Sequence, residues 1–228
     1  MKARRPAEQT SIPAPEVYQL LFERWGPQGW WPGKTALEVA VGAILTQNTA
    51  WSNVERAIAN LRAARALSVR ALASMPAERL AELIVPAGYY NLKARRLLNF
   101  IEMLHAEYGG ALARLFRLED SALRTKLLTV NGIGPETADS IMLYAAYRPV
   151  FVVDAYTRRF MLRHGWLRGD ETYDAIAEIF TGQLEPDMQV FNEFHALIVR
   201  LGKEHCRRKA LCEECPLNVY PLRRGDHS

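Results

Sequence analysis

Cysteine is scarce: Cys206, Cys212 and Cys215 crowd into ten positions near the C-terminus and there are no others. An odd, clustered set excludes a disulfide framework and points to metal or cluster ligation. Long apolar runs are missing as well. No stretch approaches the ~18 consecutive apolar residues of a membrane helix, and Met1-Lys2-Ala3-Arg4-Arg5-Pro6 is not followed by the apolar segment of a secretory signal. The expected setting is therefore the cytoplasm, with no membrane partner. Charge of one sign is not dominant: 29 Lys and Arg against 25 acidic residues give +4, which permits a polyanionic partner without demanding one. Internal repeats and low-complexity segments are absent, which excludes a solenoid or fibre.

What is present is helical periodicity. Val17, Leu20, Leu21 and Trp25 form one apolar stripe, Val54, Ile58 and Leu61 a second, and Leu97, Ile101 and Leu104 a third. Strand-like alternation is short and isolated, so the fold class is all-α, with about ten helices. The run Ala36 to Leu45 is apolar nearly all round and should lie centrally. Short Gly and Pro breaks such as Pro32-Gly33, Gly109-Gly110 and Asn131-Gly132 separate the helices. Residues 1 to about 14 and the tail from Arg223 to Ser228 are polar and aperiodic, and both ends are expected to fray.

Two segments carry chemistry. In the first, Leu127-Leu128-Thr129-Val130-Asn131-Gly132-Ile133-Gly134-Pro135-Glu136-Thr137-Ala138-Asp139, a Gly-Ile-Gly turn joins two helices, with Pro135 suited to the first turn of the second. Glycines around one apolar residue can point amide N–H groups outward beside a helix N-terminus, a seat for one DNA phosphate. The same pattern also serves a plain helical corner plugged by Ile133. In the second, Val150-Phe151-Val152-Val153-Asp154 leads into an amphipathic helix. Asp154 reads first as a helix N-cap, a role that does not exclude catalysis.

Together, the hairpin and the Val-Val-Asp about twenty residues later resemble the signature of the helix-hairpin-helix (HhH-GPD) DNA glycosylases of the endonuclease III superfamily. The resemblance spans about residues 15 to 215. It implies that Asp154 is the catalytic carboxylate. Ile44-Leu45-Thr46-Gln47-Asn48-Thr49 looks like the segment whose glutamine enters the gap left by an extruded base, which assigns that role to Gln47. Ala87-Gly88-Tyr89-Tyr90-Asn91-Leu92-Lys93-Ala94 is similar to the wedge loop, with Tyr89 intercalating opposite the flipped nucleotide. Asn131, Gly132, Gly134 and Lys93 complete the implied DNA contacts. As a candidate amine nucleophile Lys93 is set aside, like Lys126, as a surface charge.

Bifunctional members of this superfamily carry a lysine in the hairpin's second helix as the Schiff-base nucleophile, and the matching position here is Glu136. A carboxylate cannot form an imine, so a water route assisted by Asp154 remains, the chemistry of a monofunctional N-glycosylase. Trp30-Trp31-Pro32 ahead of the glutamine helix, together with Glu136, looks like the 3-methyladenine DNA glycosylases of the endonuclease III type, in which an electron-rich pocket would favour cationic alkylated purines. The indoles would serve equally as a hydrophobic staple. The resemblance further implies two helical lobes, residues 28–148 with the hairpin and residues 1–27 plus 149–228, with a DNA cleft between them. The partner is then double-stranded DNA with damaged bases, bound by a monomer in the nucleoid. His195 reads as a packed, hydrogen-bonded histidine rather than a ligand or base.

Two rival readings stay open. One is an endonuclease III-like glycosylase and lyase for oxidised pyrimidines, using another amine; the other is a helix-hairpin-helix module that binds DNA without turnover. Cys206, Cys212 and Cys215 resemble the loop that holds a 4Fe-4S cluster in endonuclease III relatives, but the first spacing is one residue short and the fourth cysteine would fall at Pro221. No cofactor is expected for the chemistry itself. A cluster completed by His205, His227, a carboxylate or solvent, a zinc ion held with a histidine, and packed free thiols are the alternatives. Lys203, Arg207, Arg208 and Lys209 would meet the DNA backbone in each case.

Overall fold

The computed structural model describes residues 11–30 and 33–222. Expectations for Trp31, Pro32 and the two chain ends lie outside the described residues. Twelve α-helices and one 3-10 turn are present there, and no strand. In chain order the helices are α1 (Ala14–Trp25), α2 (Ala36–Leu45), α3 (Trp51–Ala63), α4 (Val69–Ala73), α5 (Ala77–Leu83), α6 (Tyr90–Tyr108), α7 (Leu112–Leu115), α8 (Asp120–Leu128), α9 (Pro135–Tyr144), α10 (Ala155–Arg163), α11 (Tyr173–Thr181) and α12 (Met188–Glu204), with the 3-10 turn Val85–Ala87 ahead of α6. Among the described residues no helix is long and apolar enough to cross a membrane.

The chain divides into two compact units, Trp31–Pro149 and the pair Met1–Trp30 with Val150–Ser228. The first unit is built around α2. Thr35 caps it by accepting a hydrogen bond from the Glu38 amide, and its apolar surface is buried against α9, α3 and α6. Glu38 is the charged exception on this helix, and it is paired with Arg62 at 2.9 Å. The hairpin between α8 and α9 turns at Gly132, whose φ is +98°. The Arg96 side chain of α6 lies where a Cβ at that position would project, so both conformation and space require glycine.

The second unit is organised by α12, capped by Asp187 Oδ1, which accepts from the amides of Gln189 and Val190. Phe151 stacks on Phe180 at 3.9 Å, and Phe191 and Phe194 meet Phe151 edge-on, an aromatic core that anchors the strand-like lead into α10. Helices α10 and α12 approach closely at Gly202, where the Tyr156 ring rests on the bare α-carbon. The Arg159 guanidinium lies over that ring, 4.9 Å from its centroid, and donates to the carbonyls of Gly202 and Cys206. Gly202→Ala should therefore force the two helices apart and cost about 1–3 kcal/mol. A shift of the urea midpoint measures it, and an unchanged midpoint would mean that Tyr156 swings aside freely.

Candidate active site

In the second unit, Asp154 is the N-cap of α10. Its Oδ1 accepts from the Thr157 amide at 2.7 Å and from the Thr157 hydroxyl at 2.9 Å. Its Oδ2 lies 3.6 Å from Nε2 of His195, a buried residue of α12. Burial pushes the carboxyl up, but the His195 side chain and the two Thr157 donors outweigh it and hold Asp154 below its ordinary value. It is an anion throughout the neutral range. The expectation that His195 is packed holds, yet it omitted the residue it packs against. His195 is the imidazole beside the candidate catalytic carboxylate, a pairing between helices far apart in sequence.

Trp30 belongs to the same constellation. Its ring meets the His195 ring edge-on at 6.4 Å, and the Lys203 ammonium stands 5.8 Å from its centroid. The face of this indole already accommodates a cation.

In the first unit the predicted DNA contacts converge on the start of α6. Tyr89 is 71% exposed, as an intercalating side chain must be, and sits in the left-handed region at φ +45°. Gln47 is fully engaged: its Nε2 donates to the Gly132 carbonyl and to the Thr137 hydroxyl, each at 2.9 Å, and its Oε1 accepts from Arg96. Arg96 joins the site with no warning from the sequence. Asn131 and Gly134 are exposed at the hairpin tip, and the Asn131 carbonyl accepts from Asn99 at 2.9 Å. Glu136 is exposed in the first turn of α9, and a carboxylate there cannot form an imine.

Lys93 corrects the expectation most sharply. It is 1% exposed, not a surface charge, and its Nζ donates to the carbonyls of Leu45 at 2.9 Å and Ala87 at 2.7 Å. A direct phosphate contact needs an exposed ammonium, which Lys93 lacks. Its ammonium is equally withheld from nucleophilic attack. Lys126 does stand at the surface, paired with Glu107 at 2.7 Å.

The three cysteines line one cavity of about 240 Å³ with Phe160, Leu201, His205 and Leu217. Cys206 Sγ accepts from Arg163 at 3.1 Å, and burial pushes the Cys215 thiol up to about 11. His205 Nδ1 is buried without a hydrogen-bond partner among the described residues. Position 221 is a proline whose carbonyl hydrogen-bonds Nδ1 of His164 at 3.2 Å. Three thiols and one imidazole nitrogen are not the donor set of a four-thiolate cubane. No group of three or more His, Cys, Asp or Glu among the described residues is arranged to hold a metal ion. Of the basic residues around this loop, Lys203, Arg207, Arg208 and Lys209 are all exposed.

Residues 41–186 match the model of the HhH-GPD superfamily, base excision DNA repair proteins. The chain is 47% identical over 208 residues to a candidate DNA repair glycosylase of Methanocaldococcus jannaschii, covering 91% of this chain and 94% of that one. It is 28% identical over 186 residues to endonuclease III of Thermotoga maritima, 80% of each chain. Among solved structures, the H. pylori 3-methyladenine DNA glycosylase MagIII bound to 1,N6-ethenoadenine superposes with a TM-score of 0.72 at 28% identity, covering 83% of this chain and 96% of that one. A non-covalent endonuclease III–DNA complex reaches 0.77 at 20% identity, over 90% and 92%, and shows the shared fold.

Burying Lys93, with the Arg96 charge as a second cause, lowers its pKa from 10.5 to about 8. Between those values the unfolded chain carries a proton that the native state has released, so this group adds stability as pH rises through that window. Denaturant titrations of the native protein and of Lys93→Met across pH 7 to 11 should show their difference constant below about 8 and moving in favour of the native lysine up to about 10.5. A flat difference would mean that the ammonium titrates as in solution.

Proposed function

The chain belongs to the HhH-GPD superfamily of base excision DNA repair proteins and is a DNA glycosylase, and on that premise we propose that it hydrolyses the N-glycosidic bond of alkylated purines of the 3-methyladenine type in double-stranded DNA, leaving the strand intact. The observation that carries this reading is the division of labour between two carboxyl groups. Asp154 is a largely shielded anion with two donors, the Thr157 amide and hydroxyl, on one oxygen and an imidazole near the other, while Glu136 occupies the hairpin position at which lyase members of the superfamily carry their amine.

The chemistry follows from those residues. Once the nucleotide is extruded, the bond from C1′ to the purine nitrogen breaks, the electron pair leaves with the base, and positive charge grows on the sugar. A purine already cationic from ring alkylation is neutralised by that pair, so its departure needs no acid. A carboxylate held below its ordinary pKa is a weak base, and its larger contribution is the charge it sets against the sugar cation. Water adds at C1′ and loses a proton. The Asp154 Oδ2, the oxygen not committed to Thr157, receives it, with His195 adjacent. Trp30 supports the preference for alkylated purines, because a desolvated indole face attracts a cationic ring by about 1–2 kcal/mol more than a neutral one.

A panel of duplexes carrying alkylated, deaminated and oxidised bases, developed with alkali to reveal abasic sites, tests the substrate class. Release of 3-methyladenine well ahead of oxidised pyrimidines is expected, and the reverse order would replace this reading with the endonuclease III-like one. Asp154→Asn keeps a side chain able to cap α10 and removes the charge, so base release should fall by well over tenfold with duplex affinity equal or higher. Retention of more than about a tenth of the rate, a loss under ~1.4 kcal/mol, would take the central role away from Asp154. Trp30→Leu should slow excision of cationic purines more than of hypoxanthine. Equal slowing would reduce Trp30 to packing.

A further inference from the structure

One polar stripe on α6, Lys93, Arg96 and Asn99, reaches every segment to which DNA contact was assigned in the first unit. The spacing of three residues puts these side chains in a row along one face. Lys93 Nζ bridges the Leu45 and Ala87 carbonyls, Arg96 donates to Gln47 Oε1 while its aliphatic stem covers Gly132, and Asn99 donates to the Asn131 carbonyl. Leu45 ends α2 and Ala87 ends the 3-10 turn, so the ammonium sits at two helix C-termini whose last carbonyls lack intrahelical partners. Gln47 and Tyr89 each follow two residues later.

We infer that Lys93 is a positioning residue for base extrusion: it fastens the Gln47 segment to the Tyr89 loop, and with Arg96 and Asn99 it makes these and the hairpin a single rigid head. The inference rests on the glycosylase reading above, in which Gln47 enters the gap left by the extruded base and Tyr89 intercalates opposite the flipped nucleotide. The loops need such a fastening. Asn48 at φ +53° lies three residues beyond Leu45, Gly88 at φ +69° and Tyr89 at φ +45° directly follow Ala87, and non-glycine residues persist in that region only where their surroundings hold them. The Lys93 amide adds a second hold, donating to the Tyr89 carbonyl at 2.9 Å. A buried ammonium costs stability that an apolar side chain would not, and what it gives in return is two backbone carbonyls held at one point.

The test separates binding from insertion. Stopped-flow fluorescence of 2-aminopurine beside a tetrahydrofuran site reports insertion whatever base the enzyme prefers. Lys93→Met should bind undamaged duplex within about twofold of wild type, because the hairpin keeps its backbone contact, yet insert at least about tenfold more slowly, the scale of a misplaced group. Its excision rate should recover when the same lesion sits opposite an abasic gap, where extrusion meets little resistance. Unchanged insertion, or an equal loss on the gapped duplex, would overturn the inference. Should Lys93→Met lack a cooperative melt, Arg96→Met retains the cover over Gly132 and removes the donor to Gln47 together with the charge near Lys93: slowed insertion is then expected, and wild-type insertion is the contrary result. A wild-type protein that inserts at tetrahydrofuran but releases no alkylated purine would sink the substrate assignment alone, leaving the Lys93 comparison intact.

Discussion

A carboxylate largely withdrawn from water at the head of a helix must be compensated, and the way Asp154 is compensated determines what the second unit can do. Burial alone would push it toward the neutral form. Thr157 supplies two donors to one oxygen and His195 stands by the other, so the charge survives in a place with little water to screen it. The surrounding elements serve that arrangement. The aromatic stack on Phe151 anchors the segment before α10, and the contact of Tyr156 with Gly202 brings α10 against the helix that carries His195.

Lys93 is the opposite solution to the same problem. No acidic partner meets it through any of the hydrogen bonds of its ammonium; backbone carbonyls do, and burial, with the Arg96 charge nearby, lowers its pKa. A buried lysine with a lowered pKa invites assignment as an imine-forming nucleophile. Its geometry points elsewhere, because both carbonyls would have to be abandoned before the amine could reach a sugar. Glu136 in the hairpin helix cannot form an imine either, which supports the hydrolytic route proposed above.

Local rules read the sequence well where the physics is local. The apolar run at Ala36 to Leu45 became α2 with those bounds, Pro135 opened α9 and Asp154 capped α10. The Gly-Ile-Gly hairpin also stands where the pattern put it. What escaped depends on tertiary placement. Lys93 lies between Leu92 and Ala94 in a helix rich in charge, and nothing in that window says that two carbonyls from other segments await its ammonium. The approach of His195 to Asp154 joins two helices, and Arg96 earns its place only because Gly132 and Gln47 fold beneath it. At the cysteine loop the shortened spacing and the proline at 221 were legible, and the cavity is lined by the three cysteines and His205 rather than by a fourth cysteine.

The most direct test of a water-borne mechanism driven by Asp154 is a single-turnover time course on a duplex with one 3-methyladenine, following base release and strand scission together in the presence of borohydride. Complete base release with an intact strand and no protein–DNA adduct is predicted. Scission at the rate of base release, with a trapped covalent adduct, would contradict it and return an amine to the centre of the chemistry.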